Sequence, residues 1–435
     1  MQALIELLLN PVLFNISHGD NLNAEKSKNL IHSNYGWVIM GQFWYVDLFS
    51  QFIFFSVGIL LPIWRDELGI TVFQSGILGA IGFFGFALIS IPSGMLLPRY
   101  NPRKVIFICT LIMSIFAFAH GLASTPILLI ISRFGFVVSM VCWTQVKVLF
   151  MQKLFTQNLY PLINSIDFGI KALGQLVTFS SVAYLIVFFG GWSAFFFAIG
   201  VLLLLFLPMW FFFGKEKNIT TKLEKLPEYL GNPISILKRK KSLWLLAGAQ
   251  IGAAFPFACF VTFYPTFLLE TMDLEIEAVG FLMSLFPLGS VLGSFSAGPI
   301  SQLIGRRKPL IWIPGLLLPV CYILILHVTN LYSLGIILFI MGMLAFAVAP
   351  VLFTIPFDMQ LKPQELVIAL GLIRTLFPIG ATIGPLLVSL IRVSTGSLYD
   401  GLLIAAPMAF TLLICGLIMP ETGPIVQNKN INSIS

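Results

Sequence analysis

Charge is what this chain has least of. Only 10% of its 435 residues are Asp, Glu, Lys or Arg, against about 25% in an ordinary soluble domain. With 58% hydrophobic residues and a mean hydropathy of +0.97, a soluble globule would have to expose more apolar surface than water tolerates. Histidine is scarce too, with 4 in the chain, and the 5 cysteines (109, 142, 259, 321 and 415) show no paired spacing. They read as small apolar fillers, with no disulfide framework and no metal site, and no cofactor is expected. There is no His-Glu-x-x-His pair and no phosphate-binding glycine loop, so nothing points to an enzyme. An apolar patch, Ala3 to Leu9, lacks a preceding basic start or a small-residue cleavage site. It reads as part of a tail or an interfacial helix rather than a signal peptide.

What fills the chain is apolar sequence in runs of about 20 residues, the length that crosses a bilayer as a helix. Twelve such spans are expected, at 36–63, 72–97, 103–124, 126–151, 160–188 and 191–213, then 243–269, 276–303, 308–328, 331–357, 363–391 and 399–420. Spans 1 to 6 and 7 to 12 form two bundles, 36–213 and 243–420. Around them lie a tail (1–35), a linker (214–242) and a second tail (421–435). The fold class expected is an all-α membrane protein of twelve helices in two pseudo-symmetric six-helix bundles.

The net charge of +7 is topological rather than an invitation to nucleic acid. Lys and Arg gather on alternate loops, and the linker alone carries Lys238-Arg239-Lys240-Lys241. The opposite loops hold only Arg65 and Arg392, together with Asp66, Glu67, Glu270, Asp273, Glu275, Glu277 and Asp400. Basic loops stay in the cytoplasm, so both termini are expected there, in a multi-pass protein of the cell membrane. The sequons at Asn15 and Asn218 then face the cytoplasm and should carry no glycan.

One basic loop occurs twice. Gly94-Met-Leu-Leu-Pro98-Arg99-Tyr-Asn-Pro-Arg103-Lys104 returns 204 positions later as Gly298-Pro-Ile-Ser-Gln302-Leu-Ile-Gly305-Arg306-Arg307-Lys308. The same offset pairs Gly76 with Gly280 and Gly85 with Gly289, so the chain reads as two copies of one unit. The glycines permit close helix packing, and Gly380 to Pro385 adds a kink.

The doubled loop, the twelve spans and the basic linker resemble the major facilitator superfamily of secondary transporters, whose loop signature is Gly-x-Leu-x-Asp-Arg-x-Gly-Arg-Arg/Lys-Lys. Gly94, Leu96, Arg99, Arg103 and Lys104 match it in the first copy, and Gly298, Gly305, Arg306, Arg307 and Lys308 in the second. Ile131-Ser132-Arg133-Phe134-Gly135 resembles the family's fourth helix, and Tyr35 to Ile39 is similar to anion and monocarboxylate porters. The resemblance implies alternating access with a site at mid-membrane between the halves. The loop acid, which in the family latches one state, is replaced by Pro98 and Gln302. The loop arginines are then expected on lipid phosphates or helix C-terminal carbonyls.

Charges inside spans are the functional pointers, since each costs about 2.5–3.5 kcal/mol to insert. Asp167 and Lys171 are four apart on span 5 and face one side, with Gln175 one turn on. They are either a structural ion pair or an anion-binding ammonium with a tuning or proton-carrying carboxylate. Arg374 on span 11 sits near the repeat equivalent of Lys171, and two such cations suit a small organic anion. Arg133 on span 4 and Gln250, the counterpart of Asp47 on span 7, complete the expected substrate-contacting set. Asp47 carries no basic neighbour on its own helix. It is expected to exchange a proton, as is Asp167, unless a span 4 cation holds Asp47 as a strut. Lys147 lies near the cytoplasmic end of span 4, within snorkelling reach of water. The reading is a monomeric secondary transporter of a small organic anion, coupled to protons and in contact with lipid. The alternatives are a drug or lipophile exporter and a ligand sensor with the transporter fold. The exporter signature Gly-x-x-x-Gly-Pro is missing from span 5, which reads Gly169-Ile-Lys-Ala-Leu-Gly174-Gln.

Overall fold

A computed structural model describes residues 23–155, 159–214, 241–272, 274–359, 361 and 363–423. The two sequons, the Ala3 to Leu9 patch and nearly all of the linker lie outside the described residues. Every element described is helical. In order, span 1 is Asn23–Phe55 continuing as Val57–Leu68, span 2 Val72–Leu96 and span 3 Pro102–Gly121; span 4 is Pro126–Leu154 and span 5 Tyr160–Phe189. Span 6 is Trp192–Leu204 with Phe206–Phe213, span 7 Lys241–Met272, span 8 Ile276–Ile304 and span 9 Pro309–Leu324. Span 10 is Leu331–Asp358 and span 11 Pro363–Thr395. Span 12 runs from Leu398–Ala405 through a tighter turn, Ala406–Ala409, to Phe410–Ile418.

Among the described residues 11 helices are long and apolar enough to cross a membrane. The expected span 9 is an apolar helix of 16 residues, about 24 Å at 1.5 Å per residue. That falls short of the roughly 30 Å hydrocarbon core. It is followed by a turn at 325–327 that continues the same path, and Pro314 and Pro319 interrupt its hydrogen-bond ladder.

Starts and stops follow local chemistry. Thr71 and Gln74 form a reciprocal cap at the start of span 2, and Thr125 and Asn330 cap spans 4 and 10. Span 8 ends on Gly305 at φ 68°, a left-handed position that a side chain would strain. Span 1 breaks at Ser56, ahead of Pro62.

Glycines set the closest approaches. Within the second half, Gly289 and Gly293 of span 8 lie on the backbone of Phe339 and Met343, and Gly342 of span 10 on that of Phe286 and Ser290. Between the halves, Gly58 meets Val261 and Pro265, Gly76 meets Ser389 and Pro385, Gly79 meets Thr262, and Gly280 meets Phe179. These meetings all fall toward the end of the bundle opposite the doubled loop. At the doubled-loop end, Gly94, Gly298 and Gly371 have open space around them. Toward the doubled-loop end the halves still meet at Gly169 of span 5 and Phe295 of span 8.

Gly342→Val would drive a side chain into the Phe286 carbonyl. It should cost about 2 kcal/mol or more, read as a lower melting temperature in detergent, while Gly94→Ala leaves the melting temperature within experimental scatter. Equal melting of Gly342→Val and the parent would refute the packing described.

Candidate functional site

Four charged side chains from three spans form a chain of alternating sign. Lys147 of span 4 donates to Asp47 Oδ2 of span 1 at 2.5 Å and also to Asp167 Oδ1 of span 5. The other oxygen of Asp167 accepts from Lys171 Nζ at 2.9 Å, one turn along the same helix. Asp47 and Lys147 are each 4% exposed, Asp167 15% and Lys171 32%. The chain thus runs from a dry end at span 1 to a wet end at span 5. A lone charge at the dry end would be costly, and the alternation removes that cost by giving each charge an opposite neighbour.

Local helix geometry and tertiary packing share the work. Spacing by four puts Asp167 and Lys171 on one face, while Lys147 reaches Asp167 and Asp47 from residue separations of 20 and 100. Its ammonium also lies 5.6 Å from the centre of the Trp143 ring, an added cation–π contact. Close approach of spans 1 and 5 depends on Gly174, whose missing side chain leaves room for Gln51. Gln51 donates to the Asp47 carbonyl at 3.1 Å.

Arg374 of span 11 is exposed, has no hydrogen-bond or ion-pair partner among the described residues, and lies within electrostatic range of Lys171. Two cations from opposite halves are thus near enough to feel one another. Gln175 and Gln250 are buried, and the side-chain nitrogen of each lacks a partner among the described residues. The structure brings Asp47, Asp167 and Lys171 into one network.

Arg133 is placed elsewhere. It is buried and donates to the carbonyls of Ile53, Phe54 and Leu78 at 2.8, 2.8 and 2.9 Å, with its guanidinium over the Phe54 ring. Ile53 and Phe54 directly precede the break in span 1, so Arg133 supplies donors where the helix ladder fails. It ties spans 1, 2 and 4 together and lines a small cavity with Gly58 and Gly79 of the first half and Val261 and Thr262 of the second.

The doubled loop differs between its copies. In the second, Arg307 Nε bonds Asp358 Oδ2 at 2.9 Å and its Nη1 bonds Ser301. The Glu421 carboxylate accepts from the backbone nitrogens of Arg307 and Lys308, and Lys308 Nζ reaches the Leu417 carbonyl at 2.9 Å. In the first, Arg103 donates to the Phe211 carbonyl at 3.0 Å and Asn101 caps Lys104. Lys308 and Arg103 thus both sit on carbonyls at the ends of spans 12 and 6, the favourable place for a cation. Arg99, Arg306 and Gln302 are exposed. A charge pair therefore exists in the second loop, between Arg307 and Asp358 rather than an acid at position 302, while Glu421 holds the loop backbone.

Sequence reasoning undervalued three residues. Lys147 is buried rather than snorkelling, Asp358 is paired rather than left to water, and Glu421 was read only as tail. Lys147 could have been found from the excess of buried carboxylate over nearby cation on spans 1 and 5. Glu421 carries no such signal.

A family model described as Major Facilitator Superfamily matches residues 43–359 and 246–433. Among curated proteins, a probable sulfoacetate transporter of Cupriavidus necator is 21% identical over 278 residues, covering 58% of this chain and 61% of that protein. A hexuronate transporter of Bacillus subtilis is 20% identical over 273 residues, with the same coverage. The matched stretch thus spans under two thirds of either relative. Solved structures share the fold. A bacterial homologue of the human lysosomal transporter Spinster superposes with a TM-score of 0.68 at 16% identity, covering 89% of this chain and 94% of that one. The nucleoside transporter NupG, solved as a point mutant, gives 0.71 at 13% identity, covering 87% and 99%.

Lys147→Met would strip Asp47 of its partner and Asp167 of one of two. It should cost about 3–5 kcal/mol and lower the melting temperature, and adding Asp47→Asn should recover part of the loss because Asp167 keeps Lys171. A melting temperature unchanged by Lys147→Met would mean that the network does not hold the spans.

Proposed function

Because the chain belongs to the Major Facilitator Superfamily, it is a transporter and not an enzyme, and we propose that it carries a small organic anion by alternating access. The observation that carries this reading is a pair of cations near enough to feel one another, Lys171 on span 5 of the first half and Arg374 on span 11 of the second. Lys171 shares its charge with one oxygen of Asp167, which leaves donor capacity for a ligand. Arg374, exposed and without a partner among the described residues, supplies a planar fork suited to a carboxylate or sulfonate. Gln175, one turn beyond Lys171, and Gln250 offer buried amide donors for the rest of the substrate. Two curated relatives are named for sulfoacetate and hexuronate, both organic anions at neutral pH.

Lys147 of span 4 holds Asp47 in the way of the strut alternative; this proposal has Asp47 and Asp167 carry the proton by releasing Lys147 when protonated. Both touch Lys147, so a proton gained by either changes how firmly Lys171 is held and hence how freely it meets the anion. The halves 36–213 and 243–420 rock about this site, joined by the linker 214–242. Positive loops place the doubled-loop end in the cytoplasm, in a cell-membrane protein with both termini inside. The tightest glycine contacts between the halves then lie toward the outside.

A thermal-shift panel of small carboxylates, sulfonates, inorganic anions, sugars and lipophilic cations names the substrate class. Ligand at one hundred times its Kd adds about 2.7 kcal/mol of stability, and small organic anions should be the group that raises melting. Lys171→Gln and Arg374→Gln should each cut uptake of the best anion at least tenfold in proteoliposomes. Intact transport in both variants would end the anion assignment. Asp47→Asn should lose pH-driven uptake and retain anion exchange; a preserved pH response would remove Asp47 from the coupling.

A further inference from the structure

Spans 1, 5, 7 and 11 share one order of side chains. Each carries a polar group and then, farther from the doubled-loop end, a phenylalanine on the same face. Phe55 lies four residues past Gln51, Phe179 four past Gln175, Phe257 seven past Gln250 and Phe377 three past Arg374. All of these spacings keep one helix face. The four spans run the same way, so every ring lies on the same side of its polar group. In the first half the rings of Phe55 and Phe179 have centres 6.1 Å apart. In the second, Phe257 stands 6.1 Å from Phe377, 5.9 Å from Phe346 of span 10 and 6.0 Å from Phe286 of span 8. Phe179, Phe257 and Phe286 are buried, whereas Phe55, Phe346 and Phe377 are only partly so.

We propose that the transported anion is an aromatic carboxylate, with its carboxylate on Arg374 and Lys171 and its ring packed on Phe377 and Phe346. The inference rests on the anion site proposed above and adds what the rest of that anion must be. Phe377 follows Arg374 by one turn on one face, so an anion held by the guanidinium has a phenyl ring beside its far end. Aromatic rings favour tilted or offset contact with centres about 4.5–7 Å apart, the spacing that Phe257, Phe286, Phe346 and Phe377 already keep. A ligand ring extends that cluster in the same geometry, against the two members that are not fully buried. The polar side of the site points the same way. The side-chain nitrogens of Gln175 and Gln250 are donors, as are both cations, and donors suit carboxylate oxygens. A polyhydroxylated acid would press its hydroxyls on phenyl faces and forfeit their hydrogen bonds to water.

The test is isothermal titration of the purified full chain with phenylacetate, acetate and glucuronate. Phenylacetate should bind about tenfold more tightly than either of the others, or better, from the burial of one ring. Phe377→Ala and Phe346→Ala should each weaken phenylacetate about fivefold and change acetate by less than about twofold. Phe377→Leu keeps the apolar bulk and removes the ring. It should give a smaller loss in the same direction, which preserves the test if an alanine variant fails to fold. Arg374→Gln should weaken phenylacetate and acetate together. Phenylacetate that fails to bind, or binds no more tightly than acetate or glucuronate, would overturn the aromatic assignment. Ring variants that weaken phenylacetate and acetate alike would overturn it too, since the rings would then only pack the bundle. Where Arg374→Gln still weakens whichever anion binds, the anion site stands without the aromatic assignment; where no anion binds, both fall.

Discussion

The Lys147 ammonium, shared between Asp47 and Asp167, is the interaction on which the rest of the arrangement depends. It lets a span 1 carboxylate and a span 5 carboxylate coexist inside a membrane bundle. Without a cation between them, two such groups would repel each other and each would bear its own desolvation cost. With it, one oxygen of Asp167 remains for Lys171, and Lys171 is held at the wet end of the chain within electrostatic range of Arg374. The anion site proposed above therefore draws on the same bonds that hold the spans together. A cluster that only braced helices would bury every member, yet exposure rises steadily from Asp47 to Lys171.

The two halves repeat one architecture with different chemistry. Both loops rest a cation on the end of the last helix of their own half, Arg103 on span 6 and Lys308 on span 12. Only the second adds carboxylates, from Asp358 and Glu421. The first half concentrates its acids inside the bundle instead, at Asp47 and Asp167, while Arg374 of the second half stands exposed, with no partner among the described residues. The seam between the halves relies on glycines, which let spans 2 and 11, and 5 and 8, approach at backbone distance.

Much of this was legible in the sequence. Apolar runs and the 204-residue repeat specified the helices, because in a membrane the backbone has few other options. The spacing of Asp167 and Lys171 disclosed their pairing, since both lie on one helix. A span 4 cation holding Asp47 was one of the readings left open, but most other contacts between helices stayed hidden. Lys147 could have turned to water or inward, and only packing of spans 1, 4 and 5 around Trp143 and Gly174 decides for inward. Arg133 stood among the substrate candidates because an intramembrane arginine costs too much to be idle. Its work is to satisfy carbonyls freed at the Ser56 break, and no periodicity reports that. The missing loop acid likewise suggested a loop without a charge pair, whereas Asp358 arrives from a helix 51 residues away.

The most direct test of the central claim is a cryo-electron microscopy structure with the anion that most raises the melting temperature. The account predicts oxyanion density within hydrogen-bond distance of both Lys171 Nζ and the Arg374 guanidinium, with Lys147 still joined to Asp47. Density for the anion away from both cations, or against only one half, would contradict it.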